Sequence, residues 1–286
     1  MLGIVVPYWN PFADASRLDN LRRCLEGLRG AANVRVLCVE MPAETRSGLA
    51  DIVLEPGPDS IYIWQKERLI NHGCAILADD GIEYLGYVDA DCCFASSDFV
   101  DRIVARFESG CNLVHGFSRT VGGVPAALAS YPKLGRWLHG GSMFLDRDLF
   151  SRIGGFYEYC IVGGGDYVLL MAVTGDFGNL EWIFPGEAYR EHAGRWLDLF
   201  RSVEIRPACA ENSVDIFTHG NPHRSRRMRH ALLPDFVPDQ DIIRGQTLGL
   251  SERGKRLLPR LRAYSAHREN RPDVIVRDSE HSSRRL

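Results

Sequence analysis

Tyr84-Leu85-Gly86-Tyr87-Val88-Asp89-Ala90-Asp91 is an uncharged run that stops on two carboxylates. Five such residues read as a strand buried on both faces, the kind found inside a parallel sheet. The same pattern recurs upstream. Gly3-Ile4-Val5-Val6-Pro7-Tyr8 is a first strand, and Val34-Arg35-Val36-Leu37-Cys38-Val39 a second, ending on Glu40. Between them, Asp14 or Ser16 caps a helix whose Leu18, Leu21, Leu25 and Leu28 fall on one face. A short strand at 52–54 precedes a Pro/Gly turn at 56–58. Ile63, Leu69, Ile70, Ile76 and Leu77 then give 62–78 a helical period. Residues 98–108 are again helical and 112–115 strand-like. Strands and helices alternating at this pitch predict an α/β protein, its mostly parallel sheet covered by helices on both faces. In such sheets ligands bind beyond the carboxyl ends of the strands, where Asp89 and Asp91 stand. After Gly122-Gly123 the alternation breaks down. Glycine clusters at 140–141, 154–155 and 163–165 read there as loops lining a ligand.

The chain has 286 residues, 45% hydrophobic and 25% charged, enough for one large domain or two packed together. It holds no apolar run of the length a membrane span needs. The first residues lack the basic start of a signal peptide and read as a strand. Eight cysteines form no CxxC pair, which predicts reduced core thiols and a cytoplasmic protein. Net charge is −3 but uneven. Residues 219–286 carry 15 Lys and Arg against 8 Asp and Glu, leaving 19 against 29 in the first 218. The densest basic run is His223-Arg224-Ser225-Arg226-Arg227-Met228-Arg229-His230. It reads either as a solvated helix face or as a surface for a polyanion. Leu248, Leu250, Leu257, Leu258 and Leu261 predict a helical extension over 231–286, with a tail at 268–286 too polar to fold.

Asp-X-Asp at a strand end has two readings. It can be a turn, or a pair of hard oxygen ligands for Mn²⁺ or Mg²⁺, which favour carboxylates together with substrate phosphate. Neither GxxxxGK[ST] nor GxGxxG follows the first strand, so phosphates would need another partner, most simply a metal. The loop Pro7-Tyr8-Trp9-Asn10-Pro11 is not the Gly-rich basic loop of a nucleotidyltransferase.

Four segments, in order, resemble the GT-A fold glycosyltransferases, related to family-2-like enzymes and to the DXD-containing transferases of bacteria and phages. They are Ile4-Val5-Val6-Pro7-Tyr8-Trp9-Asn10; Trp64-Gln65-Lys66-Glu67-Arg68-Leu69-Ile70-Asn71 with Asp89-Ala90-Asp91; His139-Gly140-Gly141-Ser142 through Gly163-Gly164-Gly165-Asp166; and Phe217-Thr218-His219-Gly220. The resemblance implies a Rossmann-like transferase domain over 1–230, with a nucleotide-sugar half to about 118 and an acceptor half from 119. It implies that Pro7, Asn10 and Glu40 hold the base and ribose of a UDP-sugar, and that Lys66, Arg68 and Asn71 face the nucleotide and its phosphates. Asp89, Asp91 and His219 would hold Mn²⁺ or Mg²⁺. Gly140, Gly141 and Gly164 would let backbone N–H groups approach the sugar. Asp166 takes the place of the catalytic acid residue; the usual pair there is Glu-Asp or Asp-Asp, whereas this chain has Gly165-Asp166.

The implied reaction moves a sugar from a nucleotide diphosphate to an acceptor hydroxyl, with inversion if Asp166 is the base opposite the leaving group. With the basic 223–230 run, the leading acceptor is a 5-hydroxymethylpyrimidine in DNA, flipped out to react. A cell-surface or lipid-linked glycan, or a protein, is the rival acceptor. A nucleic-acid-binding module on a body without catalysis is the rival class. Plainer readings stand beside each residue. Asp166 equally caps a helix starting near Tyr167. His219 is otherwise an ordinary polar histidine, and Lys66 and Arg68 otherwise lie on an exposed helix face. His115, His139 and His192 read as structural; Trp64, Trp137, Trp182 and Trp196 as packing; Cys92 and Cys93 as core.

Overall fold

The computed structural model describes residues 1–10, 13–42, 45–55, 64–121, 141–160, 163–175, 180–184 and 186–217. Gly122, Gly123, Trp137, His139, Gly140, His219, the 56–58 turn, the basic run 223–230 and the extension 231–286 lie outside these residues.

In chain order the elements begin β1 (Leu2–Tyr8), α1 (Ala15–Arg29), β2 (Val34–Glu40), β3 (Ile52–Val53), α2 (Lys66–Asp79), β4 (Tyr84–Val88), β5 (Cys92–Phe94) and α3 (Phe99–Glu108). They continue with β6 (Leu113–His115), β7 (Arg119–Thr120), β8 (Ser142–Asp146), α4 (Arg147–Ile153), α5 (Gly165–Thr174), α6 (Leu180–Ile183), α7 (Glu187–Arg201), β9 (Pro207–Cys209) and β10 (Ser213–Ile216). Seven strands form one sheet in the order β3-β2-β1-β4-β8-β6-β9. β1 runs parallel to β2, from Leu2 opposite Val34 to Tyr8 opposite Glu40, and parallel to β4, from Leu2 opposite Tyr84 to Val5 opposite Tyr87. β8 is antiparallel to both of its neighbours, β4 and β6. The sheet is thus the mostly parallel one expected, with a single reversed strand in its middle. β5, β10 and β7 make a second, three-stranded sheet.

A strand's side chains alternate between faces, and β1 shows what each face covers. Leu2, Ile4, Val6 and Tyr8 pack with Leu21, Cys24, Leu25 and Leu28 of α1 and with Phe99, Val100, Ile103 and Phe107 of α3. Val5 packs on the opposite side with Leu69, Ile70, Cys74 and Leu77 of α2 and the apolar residues of α5 and α7. Each buried leucine on these faces contributes about 2 kcal/mol. α1 starts where the sequence placed its cap: the Asp14 carboxylate accepts from the Ser16 N–H at 2.8 Å. Pro7, which cannot donate a ladder hydrogen bond, falls where pairing to β4 has already ended at Val5.

Beyond Gly141, between and after the glycine clusters, the described residues hold the helices α4, α5, α6 and α7. In α5 the run Val168 to Ala172 is buried residue after residue, so no amphipathic period betrays it. All eight cysteines are thiols, five of them buried.

Candidate active site

β1, β2 and β4 all end on the same edge of the sheet, and the Asp89–Asp91 turn crosses it. The Asp89 N–H donates to the Gly141 carbonyl at 2.7 Å, and the Cys92 N–H returns to the Asp89 carbonyl at 2.9 Å, closing the turn. From the far side the Phe217 N–H donates to the Asp91 carbonyl at 2.9 Å. Beneath it, the Cys24 thiol lies 3.7 Å from the Asp89 carbonyl. Gly141 is needed for this closeness: a Cβ there would lie 2.8 Å from Cys92 Sγ. The turn reading of Asp-X-Asp is therefore true, and the turn carries two carboxylates at i and i+2.

Lys66, the first residue of α2, meets this turn. Its Nζ lies 2.5 Å from Asp89 Oδ1 and 4.4 Å from the centre of the Tyr87 ring. The lysine side chain is 6% exposed and that of Asp89 21%. Burial works against the ammonium, but the combined charges of Asp89, Tyr87, Asp166 and Glu67 outweigh it and hold Lys66 charged, its pKa raised. The exposed-face reading of Lys66 is thus corrected. It is a buried cation set against the carboxylate pair.

Glu67 follows it, 3% exposed. Burial foremost pushes its carboxyl up to about 7; Lys66 opposes the rise, while Asp166 and Asp89 add to it. Its Oε1 lies against Gly165, where a Cβ would come within 1.9 Å. Asp166 stands in the first turn of α5, next to Gly165. The cap of that helix is Gly164, in a left-handed conformation at φ 101°, with no side-chain hydrogen bond. Asp166 therefore does not cap α5, and its carboxylate is left for another task, within electrostatic reach of Lys66 and Glu67.

The other sequence candidates do different work. Asn71 Oδ1 accepts from the Phe156 N–H at 2.8 Å, while Nδ2 donates to the Phe156 carbonyl at 2.8 Å and to Glu158 Oε1 at 2.7 Å. Its amide thus clamps α2 to the 155–158 segment instead of facing phosphates. Arg68 reaches Gln65 Oε1 at 3.4 Å and feels the charge of Glu158, which ties it to the same clamp. Asn10 closes its own loop: its Oδ1 accepts from the Asp14 N–H at 3.0 Å, and its Nδ2 donates to the Asp14 carbonyl at 2.8 Å. Glu40 accepts from the Ser47 N–H at 2.8 Å and hydroxyl at 2.7 Å, pinning the chain beyond β2. Pro7, Asn10 and Glu40 thus stand at or just beyond the carboxyl ends of β1 and β2, where Trp9 and Trp64 stack 5.4 Å apart. Cys92 is core, its thiol held well above its ordinary pKa by burial. His115 packs edge-on to Phe117, and His192 bonds the Tyr157 hydroxyl at 2.9 Å, as structural histidines do.

Could the turn hold a divalent cation? Among the described residues no group of three acidic, histidine or cysteine side chains is placed to bind one. Two hard carboxylates on a tight turn nonetheless fit an ion that arrives with its own phosphate oxygens and waters. Lys66 on Asp89 already balances part of their charge. The donor set suits a substrate-borne Mg²⁺ or Mn²⁺ better than a resident one.

No protein-family model matches the chain, and no curated protein does. Solved structures do. The catalytic domain of Drosophila β1,4-galactosyltransferase 7, in complex with xylobiose, is 12% identical over 87% of this chain and 82% of that one, with a TM-score of 0.42. Glucosyl-3-phosphoglycerate synthase from Mycobacterium tuberculosis, in complex with Mg²⁺ and UDP, is 16% identical over 84% and 80%, with a TM-score of 0.39. A mannosyltransferase from Pyrobaculum calidifontis, in complex with GDP-Man and Mn²⁺, is 12% identical over 98% and 79%, with a TM-score of 0.43. Scores at this level carry no functional argument, so function rests on this chain's own topology and side chains. No helix among the described residues is long and apolar enough to cross a membrane.

Proposed function

We infer that this chain is a nucleotide-sugar-dependent glycosyltransferase of the GT-A kind, using a divalent cation and a UDP-sugar to glycosylate a hydroxyl. The observation that carries the reading is the convergence at one sheet edge of the Asp89–Asp91 turn, the buried ammonium of Lys66 and the uncapping carboxylate of Asp166. Asp89 and Asp91 are the residues to hold the cation, with His219 a further ligand by sequence. A divalent ion held by these carboxylates would supply Lewis-acid charge neutralisation to the departing diphosphate. Lys66 faces the same diphosphate as a fixed positive charge that needs no reorganisation. Asp166 takes the proton of the attacking hydroxyl, and transfer inverts the anomeric centre if it does so from the face opposite the diphosphate.

The acceptor question rests on sequence. The Arg-rich run 223–230 favours a polyanionic acceptor, and a hydroxymethylated base in DNA supplies both the charge and the hydroxyl. Binding to such DNA would then weaken steeply with salt.

The test is nucleotide release from a panel of UDP- and GDP-sugars with Mn²⁺, comparing wild type with Asp166→Asn. Turnover of one donor that falls by about 10²–10⁴-fold in the variant supports the reading. No turnover of any sugar nucleotide, with or without hydroxymethylated DNA or glycan acceptors, sinks it.

A further inference from the structure

Among the described residues, Glu67 Oε2 is a buried carboxylate oxygen that receives no hydrogen bond. Such an atom is costly, since a buried acceptor has given up its water for nothing. Packing does not require it either, because an apolar side chain would fill the same volume without the penalty. The chain instead keeps space for it. Position 165 carries no side chain, and a Cβ there would fall 1.9 Å from Glu67 Oε1 and 2.2 Å from Cδ. Glu67 thus enters from α2 the volume that a side chain on α5 would otherwise fill, directly beside Asp166. Lys66, its neighbour in sequence, is committed to Asp89 and does not neutralise it by contact.

We propose that Glu67 is a substrate-binding residue of this site, and that its unpartnered oxygen binds a hydroxyl of the sugar being transferred. The proposal rests on the sugar-transfer reading above. Its logic is positional. In that reading Lys66 and the Asp89–Asp91 turn face the diphosphate, which joins the ribose to the transferred sugar, and of these two hydroxyl-bearing groups the sugar is the one whose reacting carbon must lie toward Asp166. Glu67 lies one residue on from Lys66 and packs against Gly165, the residue before Asp166. A hydroxyl also suits this carboxyl in either protonation state, because it can donate to the ionised form and accept from the neutral one. Burial lifts the group to about 7, so both forms occur near neutrality.

The test compares binding of UDP with binding of the UDP-sugars, by calorimetry with Mn²⁺, on wild type and Glu67→Leu. Wild type binds one UDP-sugar more tightly than bare UDP, and the leucine variant loses that increment by about tenfold while its affinity for UDP stays within twofold. Melting temperatures confirm that the variant is folded. The exchange Glu67→Ala with Gly165→Glu returns the carboxyl from the other helix and restores most of the increment. Gly165→Glu alone, with both side chains in one space, does not. A leucine variant that keeps the full increment overturns the proposal and leaves the transferase reading standing. So does a wild type that binds UDP and every UDP-sugar equally well. A wild type that binds no sugar nucleotide, of uridine or guanosine, takes down both.

Discussion

One helix carries two kinds of polar chemistry a single turn apart. At its start, Lys66 and Glu67 are buried among other charges, Lys66 paired with Asp89 and Glu67 with one carboxyl oxygen unmatched. One turn on, Asn71 makes three hydrogen bonds, both polar atoms of its amide matched by Phe156 or Glu158. All three read alike in the sequence, as polar residues on an amphipathic helix. The difference is that the second set explains itself by the fold it holds, while the first costs stability with no structural return. Unpaid polar burial of that kind is where function is to be sought.

The sharpest way to break this contrast is Lys66→Ala. Removing the ammonium breaks the buried ion pair with Asp89, which costs about 3 kcal/mol or more of unfolding free energy, and it abolishes nucleotide binding as well. Urea denaturation and calorimetry on the same sample read both. A variant that is destabilised yet binds wild-type amounts of UDP would move Lys66 into the structural class.

Next in size is a pH effect. The Glu67 carboxyl titrates at about 7 in the fold, against 4.5 ordinarily. Between those values the unfolded chain has released a proton that the folded chain keeps, so stability falls as pH rises through the window and levels off above it. Glu67→Gln lacks this loss. The stability gap between variant and wild type therefore widens in favour of the variant from pH 4.5 to 7, by up to about 3 kcal/mol, and then stays constant. A gap independent of pH would mean that Glu67 is not desolvated.

Asn71→Ala should cost about 2 kcal/mol, because it strands the Phe156 backbone groups. Under conditions where it is folded, its nucleotide affinity should match wild type; a selective loss of affinity would return Asn71 to the phosphate-facing role. The smallest effect is Asp14→Ala at the start of α1, about 1 kcal/mol in denaturation with binding unchanged. Any larger loss there would mean that the 10–14 loop matters to the site beyond its cap.

Much of the first half was legible. Apolar runs ending at Tyr8, Glu40 and Val88, and the leucine spacing of 18–28, define β1, β2, β4 and α1 within a residue or two, because each element's burial follows from its own period. The reversal of β8 was not, since Ser142-Met143-Phe144-Leu145 reads the same in either direction. The small sheet was not, its strands being two to four residues long. α7 did carry a visible signal, Tyr189, Ala193, Leu197 and Phe200 on one face, which the glycine clusters around it obscured. Within the site, Asp89, Asp91, Lys66 and Asp166 were sequence candidates, and the fold sets Lys66 on Asp89 with Asp166 in electrostatic reach. Glu67 was passed over, because a glutamate in the first turn of a helix is ordinary. What makes it unusual is Gly165, 98 residues further along, and only the fold brings the two together.

The central claim is that the Asp89–Asp91 turn, and not the Asn71 clamp, meets the nucleotide. Calorimetry of UDP with and without Mn²⁺, on wild type, Asp91→Ala and Asn71→Ala, tests it most directly. The account predicts metal-dependent binding in wild type, its loss in Asp91→Ala and its survival in Asn71→Ala. Binding that ignores the metal, or that Asp91→Ala leaves intact, would contradict it.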